Sequence, residues 1–357
     1  ALNYWQRKVE HHLCDRDLYR FTFDGPVLIR EGTVRTYIRR YNYQNTFRSS
    51  ELTARYDLSL GKLDASVFAG MSQEYNHYDR DYYRKYDLVD SSLTGIDAGT
   101  TNGEVSGTYD EWAMRSFFGR MNLSWDSKYF LEANMRADGS SRFAPGRRWG
   151  YFPSVSAAWR ISDEGFMRNA SVWLNQLKIR ASYGSLGNNA TTSLYMYQSL
   201  YSTANYVLNG TVVGGLAQTV LANPDLTWEK TYMADVGVDF SLLGNRLAGS
   251  IDFYNKDTKG ILISLPAPLE HGTSIVPNQN AGEVNNRGVE FDINWYDRIG
   301  KVGYQIGFNM GFVNNKVTKF QGDPPSISGV YKTQEGRPIN QLYLITVDRI
   351  VRDQADL

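Results

Sequence analysis

The sequence predicts an all-β protein, a transmembrane antiparallel up-and-down β-barrel. Two observations carry this prediction: polar and apolar residues alternate along many strand-length segments, and the connections between them alternate between short and long. Outer-membrane barrels have this arrangement, with tight turns on one side and larger loops on the other. The chain also contains 25 Tyr, 16 Phe and 8 Trp, many at segment ends, where aromatic belts form at membrane interfaces.

The alternation is clear in segment 129–138. Its odd-numbered residues, from Tyr129 to Ala137, are aromatic or apolar, and Glu132 and Arg136 lie among the polar residues between them. Successive side chains of a strand point to opposite faces, so one face is apolar and the other polar. Similar segments occur at 33–43, 51–60, 63–71, 115–125, 153–161, 177–183, 229–240, 247–257, 289–295, 302–312 and 341–350. We therefore expect about twelve strands, each roughly as long as a tilted membrane strand.

The connections fall into two classes by length. The short ones are rich in Gly, Asn, Asp or Ser, as tight turns require, and lie at Gly61, 126–127, 242–245 and 297–301. The long ones are 72–114, 139–152, 185–228, 258–287 and 314–340, and the intermediate segment 162–176 takes the place of a short turn. The loops of a soluble sandwich have no reason to sort by side. We expect residues 1–357 to form one partial outer-membrane barrel domain.

Composition narrows the possible functions. The formal net charge is zero and basic residues are interleaved with acidic ones, which does not indicate a nucleic-acid surface. The single cysteine, Cys14, argues against a disulfide framework. His11, His12 and Cys14 lie close together, but no second ligand cluster follows, so a chance cluster is favoured over a metal site. Motifs of hydrolases, metallopeptidases and nucleotide-binding enzymes do not occur, so we expect no enzymatic activity and no cofactor.

Several long motifs resemble one known family. The segments DGSSRFAPGRRWGYFPSVSAAWRIS (138–162), NPDLTWEKTYMADVGVDF (223–240) and NAGEVNNRGVEFDINW (280–295) resemble the barrel of SusC/RagA-type TonB-linked outer-membrane transporters. The resemblance implies a plugged barrel of about 22 strands in the outer membrane of Bacteroidetes-type bacteria. It implies import of oligosaccharides or peptides, energy from the TonB complex and a SusD-like surface lipoprotein as a lid. We expect the N-terminal plug, its TonB-contact segment and both barrel ends to lie outside this chain.

Polar residues of the strands are expected to face the lumen. They are Glu132, Asn134, Arg136, Lys178, Arg180, Asp252, Glu290, Asp292 and Asn294. Among them, Arg136, Arg180, Glu290 and Asp292 are candidate ligand-binding residues. The alternative is a solvated or plug-packed inner wall in which no single residue contacts substrate.

Aromatic residues of the long-loop side form the second candidate set. Its members are Trp149, Tyr151, Tyr195, Tyr197, Tyr201, Tyr206 and Trp228. Flat rings with a polar group suit sugar stacking or lid contact, but the same rings also pack a loop onto itself. Segment Asp138–Phe143 is interpreted either as a loop that meets ligand or lid or, as the favoured alternative, as a turn that fixes the loop.

Three functions follow from these features. The first is a TonB-energised importer. The second is a secreted or surface β-protein that binds glycan without transport, and the third is a passive porin with an open lumen. Tyr-rich loops suit glycans and peptides equally.

Overall fold

The computed structural model describes residues 2–12, 18–22, 25–30, 36–90, 92–190, 192–263, 278–321 and 326–344. In these ranges the chain consists mostly of antiparallel strands with three short 3-10 helices, at Ile96–Ala98, Ile161–Asp163 and Gly165–Ala170, and no α-helix. No helix in the described part of the chain is long and apolar enough to cross a membrane.

The strands of the described ranges are numbered in chain order. They are β1 (Leu2–His12), β2 (Leu18–Thr22), β3 (Gly25–Arg30), β4 (Tyr37–Leu60), β5 (Leu63–Leu88), β6 (Gly99–Trp125), β7 (Tyr129–Ser140), β8 (Trp149–Arg160), β9 (Leu174–Asn188), β10 (Leu200–Leu208), β11 (Thr211–Val220), β12 (Glu229–Leu242), β13 (Leu247–Ile263), β14 (Gln279–Ile299), β15 (Val302–Phe320), β16 (Ser326–Ser328), β17 (Tyr331–Thr333) and β18 (Gln341–Leu342).

One sheet of eleven strands contains most of the described chain, in the order β1-β4-β5-β6-β7-β8-β9-β12-β13-β14-β15. Strands β2 and β3 form a hairpin, as do β10 and β11, and β16, β17 and β18 form a small sheet. The chain divides into two compact units, residues 1–50 with 72–114 and residues 51–71 with 115–357. The sheet order confirms the predicted up-and-down connectivity.

The predicted short turns are present and use the expected residue types. Gly61 and Gly300 have φ values of +59° and +61°, and Asp126 and Ser127 both have a φ of +53°. The turn between β12 and β13 places Leu243 at a φ of +57°, which is unusual for a branched apolar residue. Positive φ values suit the mirror-image turns that join adjacent antiparallel strands.

Cross-strand pairing in the second unit separates two faces. One row of paired residues is wholly apolar or aromatic and runs through Tyr129, Trp159, Ile179, Val238, Ile251, Phe291 and Met310. The next row on the opposite face runs through Phe130, Ala158, Arg180, Gly237, Asp252, Glu290 and Gly311. Large apolar side chains of the first face are exposed. An exposed apolar face opposite a polar one is typical of a barrel wall, with lipid outside and the lumen inside.

Two strand predictions are wrong in their bounds. Segments 33–43 and 51–60 were expected to be separate strands, but 37–60 is the single strand β4. The predicted loop 72–114 contains the second half of β5 and the first half of β6, joined only by residues 89–98. These halves are polar on both faces and lack the alternation of a half-buried strand. Their many Tyr and Thr residues nevertheless favour strands.

Strand length and alternation indicate that the ends of β5 and β6 in 72–114 lie outside the membrane-spanning segments. Strand β5 has 26 residues, whereas a tilted membrane strand needs about 9–11. Its alternating apolar face ends at Met71, and that of β6 begins at Phe117. Two further predicted loops contain strands: β10 and β11 lie in 185–228, and β16 and β17 in 314–340. Of the predicted strand 341–350 only residues 341–344 are described, and β18 covers the first two of them.

Candidate functional site

Arg180 on β9 organises the polar face by contacting acidic residues of β12 and β13. Its Nη1 lies 3.3 Å from Asp235 Oδ1, its Nε 3.1 Å from Asp239 Oδ1 and its Nη2 2.5 Å from Asp252 Oδ1. The Arg180 side chain is 32% exposed, so the cluster faces an open space while its partners hold it in place. A guanidinium suits this role because its five donors lie in one fixed plane.

Gly237 allows this cluster to form. It lies between Arg180 and Asp252 in the same cross-strand row. A Cβ atom at Gly237 would overlap the Asp252 carboxylate and the Arg180 guanidinium. The glycine therefore lets the two charged side chains meet across the middle strand, flat against the backbone.

The same face lines a hollow of about 600 Å³ in the second unit. Both short hydroxyl residues and charged residues line it. The polar residues around it include Arg55, Asp57, Ser59, Asn122, Glu132, Ser156, Lys178, Arg180 and Asp235. This lining offers many hydrogen-bond donors and acceptors.

The other predicted lumen residues lie on this face too. Glu290 pairs with Asp252 across β13 and β14, and Asp292 pairs with Ser250. Arg136 donates from Nε to Asp138 Oδ2 at 2.8 Å and from Nη2 to Ser116 Oγ at 3.0 Å. Arg180 and Glu290 share one row, whereas Arg136 lies on β7, two strands from the strand of Arg180, β9. The structure thus places all four on the polar face without gathering them into one pocket.

Trp228 lies in a small core at the base of two long connections, the one between β7 and β8 and the one between β9 and β12. We call Phe143, Phe152, Leu226 and Trp228 the loop-base core. Phe143 and Leu226 are 0% exposed, Trp228 4% and Phe152 5%. The Trp228 ring lies 5.3 Å from that of Phe143 and 5.4 Å from that of Phe152, and Nε1 donates to Arg148 O at 2.9 Å. Trp228 is therefore covered by protein in the described chain.

The segment Asp138–Phe143 contributes to the same region. Asp138 and Ser140 are buried, Asn189 Nδ2 donates to Ser140 Oγ at 2.9 Å, and Arg142 Nη1 donates to Thr192 O. Burial lowers the pKa of the Arg142 guanidinium. Residues 138–140 form the end of β7, so the predicted turn begins only at Ser141. The contacts of Ser140 and Arg142 fasten the end of β7 and the loop after it to Asn189 and Thr192, which supports a role in fixing the loop.

Trp149 and Tyr151 lie on the apolar face of β8. Tyr151 pairs with Ala137, and Trp149 stacks on Phe117 with ring centroids 6.0 Å apart. Both are exposed, at 44% and 57%. This position suits an aromatic belt at a membrane interface better than the lumen.

The four loop tyrosines are placed differently. Tyr195 and Tyr197 are partly buried in the turns before β10. Tyr201 and Tyr206 lie on the β10–β11 hairpin and are 63% and 49% exposed. Their ligand-binding role remains a prediction.

Glu164, in the intermediate connection between β8 and β9, binds two aromatic residues of the apolar face. Glu164 Oε1 accepts from Tyr129 Oη at 2.5 Å and from Trp159 Nε1 at 3.2 Å. The hydrogen bond from Tyr129, followed by that from Trp159, lowers the pKa of Glu164. These contacts fix two candidate belt residues at the short-turn side.

One aromatic cluster, which lies in the first unit, was not predicted from the alternation of polar and apolar residues. Tyr and Arg residues of β4 and β5 stack there in two adjacent rows. The spacing of Tyr and Arg in YIRRYNY (37–43) and YDRDYYRKY (78–86) was the available signal.

A metal site has no support in the described residues, where no three His, Cys, Asp or Glu side chains are grouped to hold an ion. Cys14 and the side chains of His11 and His12 lie outside the described part.

Comparison with known proteins defines the class of this chain. The family model described as "TonB dependent receptor-like, beta-barrel" matches residues 3–346. The chain therefore belongs to the TonB-dependent receptor-like β-barrel family. Members of this family are outer-membrane receptors and transporters, not enzymes.

Individual relatives agree with that assignment. TonB-dependent receptor P39 of Formosa agariphila is 33% identical over 275 residues, which cover 74% of this chain and 24% of the relative. TonB-dependent receptor SusC of Bacteroides thetaiotaomicron is 29% identical over 83% of this chain and 31% of SusC. The chain thus spans about a quarter to a third of the length of these two curated relatives.

Solved structures give the same fold. The structure of the RagAB peptide importer in the closed-closed state matches with a TM-score of 0.77 and 26% identity, over 85% of this chain and 34% of that chain. The outer-membrane transporter YddB from Escherichia coli matches with a TM-score of 0.54 and 11% identity, over 88% of this chain and 39% of that chain, which supports the fold alone.

Proposed function

We propose that the full-length protein is an outer-membrane active importer of oligosaccharides or peptides. Energy comes from the TonB complex, and a SusD-like surface lipoprotein covers the barrel as a lid. The observation that carries the proposal is the polar face organised by Arg180, opposite an exposed apolar face. The likeness to RagAB, described as a peptide importer with open and closed states, and to SusC supports it.

The inner face suits a polar cargo. Arg180 and its three carboxylate partners combine donors and acceptors on rigid strands, and Glu290 lies in the same row. Sugars and peptide backbones both donate and accept hydrogen bonds, so this wall replaces part of the water that such a ligand loses on entry. The plug that fills the lumen in such transporters is a second occupant that this polar wall suits.

The first experiment is purification of the full-length protein from native outer membranes in mild detergent, with mass spectrometry of the co-purified proteins. A stoichiometric surface lipoprotein supports the lidded importer. Recovery of the barrel protein alone removes the lid from the proposal.

The second experiment measures uptake of labelled oligosaccharides and peptides by cells with and without a functional TonB complex. The proposal expects uptake to stop when TonB is removed. Uptake that continues without TonB, together with large open-channel conductance in planar bilayers, indicates a passive porin. Ligand binding at the cell surface without uptake indicates a glycan-binding β-protein.

A further inference from the structure

Two adjacent rows of stacked tyrosine and arginine side chains occupy one face of β4 and β5 in the first unit. We call this set the Tyr–Arg ladder. Its members are Tyr37, Arg39, Tyr41, Tyr43, Tyr78, Tyr82, Arg84 and Tyr86. All eight side chains are partly exposed.

The two arginines of the ladder share aromatic neighbours. Arg39 Cζ lies 5.2 Å from the ring centroid of Tyr37 and 5.5 Å from that of Tyr82. Arg84 Cζ lies 5.1 Å and 5.4 Å from the same two centroids. Both cations are thus within cation–π range of the same pair of rings. This arrangement holds two guanidinium groups on one surface despite their mutual repulsion.

The remaining rings extend the stack. Tyr41 stacks on Tyr82 with centroids 5.2 Å apart and on Tyr43 with centroids 5.7 Å apart. Tyr43 in turn stacks on Tyr78 at 6.2 Å. Stacked rings lose side-chain freedom when the strands fold, so little of that freedom remains to be lost when a ligand binds.

Polar pairs border the ladder and fix acceptors beside its donors. Glu104 accepts from Tyr82 Oη at 2.8 Å and from Arg84 Nη1 at 3.3 Å. Asn76 Nδ2 donates to Asn45 Oδ1 at 2.6 Å. The surface therefore presents phenol, guanidinium, carboxylate and amide groups in fixed positions.

Pairing of the strands limits how a ligand approaches. Strand β4 is bonded to β1 on one side and to β5 on the other, and β5 is bonded to β4 and β6. An extended peptide that adds to a sheet needs an unpaired strand edge. Neither ladder strand offers one, so a ligand meets the side-chain face and not the backbone.

We propose that the Tyr–Arg ladder binds an oligosaccharide. Vicinal sugar hydroxyls both donate and accept, which matches the mixed donors and acceptors of this face, and the apolar C–H faces of sugars suit tyrosine rings. From Tyr37 to Tyr43 the ladder extends over about 20 Å, at roughly 3.3 Å per residue. It therefore accommodates several sugar units. Its place in transport rests on the proposed importer function, and it selects glycan over peptide as the cargo.

The test is calorimetric titration of the full-length protein in detergent with maltohexaose, cellohexaose, xylohexaose and mannohexaose, and with a neutral decapeptide mixture as the competing probe. The double variant Tyr43→Phe/Tyr78→Phe keeps both rings and their stacking but removes two hydroxyls. We expect at least one hexasaccharide to bind, and this variant to weaken that binding about tenfold. The matched control is Tyr83→Phe, which removes the hydroxyl of a partly exposed tyrosine of β5 that is not in the ladder.

The outcomes separate this inference from the importer function. Equal hexasaccharide affinity in the wild type and the double variant means that the ladder is only structural, which overturns the inference. Failure of all four hexasaccharides to bind also overturns it. Decapeptide binding that the double variant weakens overturns the glycan assignment but leaves the importer function intact. Hexasaccharide binding at the ladder with TonB-independent uptake overturns the importer function and leaves the ladder inference intact.

Discussion

The loop-base core and the Tyr–Arg ladder are both ordered regions built from aromatic residues, but different forces hold them. Phe143 and Leu226 of the loop-base core are fully buried. The ladder side chains remain partly exposed and contact one another across strands. Burial concentrates free energy in a few side chains, whereas cross-strand stacking divides it among many pairs. Single substitutions should therefore have large effects in the first region and small, coupled effects in the second.

Trp228→Ala should have the largest effect. It removes a side chain that is 4% exposed, leaves a cavity beside Phe143 and Phe152, and leaves Arg148 O without its indole donor. We expect a loss of about 3–5 kcal/mol in local unfolding free energy. Hydrogen exchange of the amides in 139–152, in the full-length protein, measures it.

The control for that substitution is Tyr201→Ala on the exposed hairpin, where a change within about 0.5 kcal/mol is expected. Equal effects of Trp228→Ala and Tyr201→Ala would show that burial does not concentrate stability in the loop-base core.

Arg84→Gln should have a smaller effect. It removes three cation–π contacts, the hydrogen bond to Tyr86 Oη at 2.9 Å and the pairing with the exposed Glu104. We expect a loss of about 1–2 kcal/mol, from the ring contacts and the hydrogen bond to Tyr86, because solvent screens the ion pair. Hydrogen exchange in 78–86 measures it, with the exposed neighbour Arg80→Gln as the control. A loss as large as that of Trp228→Ala would contradict the distributed character of the ladder.

Tyr86→Phe tests the hydrogen bond between Arg84 and Tyr86 separately from the ring contacts. The ring remains and only the hydroxyl that accepts from Arg84 is lost, so we expect about 0.5–1 kcal/mol. The double variant Arg84→Gln/Tyr86→Phe should lose less than the sum of the single variants, because both remove the same hydrogen bond. Strict additivity, measured by the same exchange experiment, would mean that the two side chains are not coupled.

The last expected effect concerns pH and is absent near neutrality, where the phenol of Tyr82 is neutral in both the folded and the unfolded chain. Burial, followed by the hydrogen bond to Glu104, raises the pKa of Tyr82 to about 12 from 10.0. The neutral phenol is favoured in the folded state, so its contribution to stability is complete below pH 10 and is lost as pH rises towards 12. Phenolate absorbance of the wild type minus that of Tyr82→Phe should show one phenol titrating near pH 12. A difference curve centred at pH 10 would show that Tyr82 is not shielded.

Alternation in the sequence predicted the polar and apolar faces because side-chain direction repeats every two residues. It placed Arg180 and Glu290 on the polar face, and the register puts them in one row. Alternation does not give the register across a long connection. The contact of Arg180 with Asp252, two strands away, therefore emerges only from the structure.

Other features depend on burial, which residue type alone does not determine. Trp228 and Trp149 were equivalent as loop-side aromatics, yet Trp228 is enclosed and Trp149 is 44% exposed. The extensions of β5 and β6 have polar residues on both faces, so their pattern is that of a loop. Pairing between strands, a long-range property, makes them strands and forms the ladder.

The β10–β11 hairpin has a practical consequence for work on cells. It contains no charged residue, and no Lys or Arg occurs between Arg180 and Lys230. Trypsin cleaves only after Lys or Arg, so it does not cut this exposed hairpin, which remains within one long fragment in a digest. A protease that cleaves after Tyr or Leu should instead cut at Tyr206 or Leu208, which are 49% and 63% exposed. Protection of these two sites from cleavage when a partner is added would show that the partner covers the hairpin.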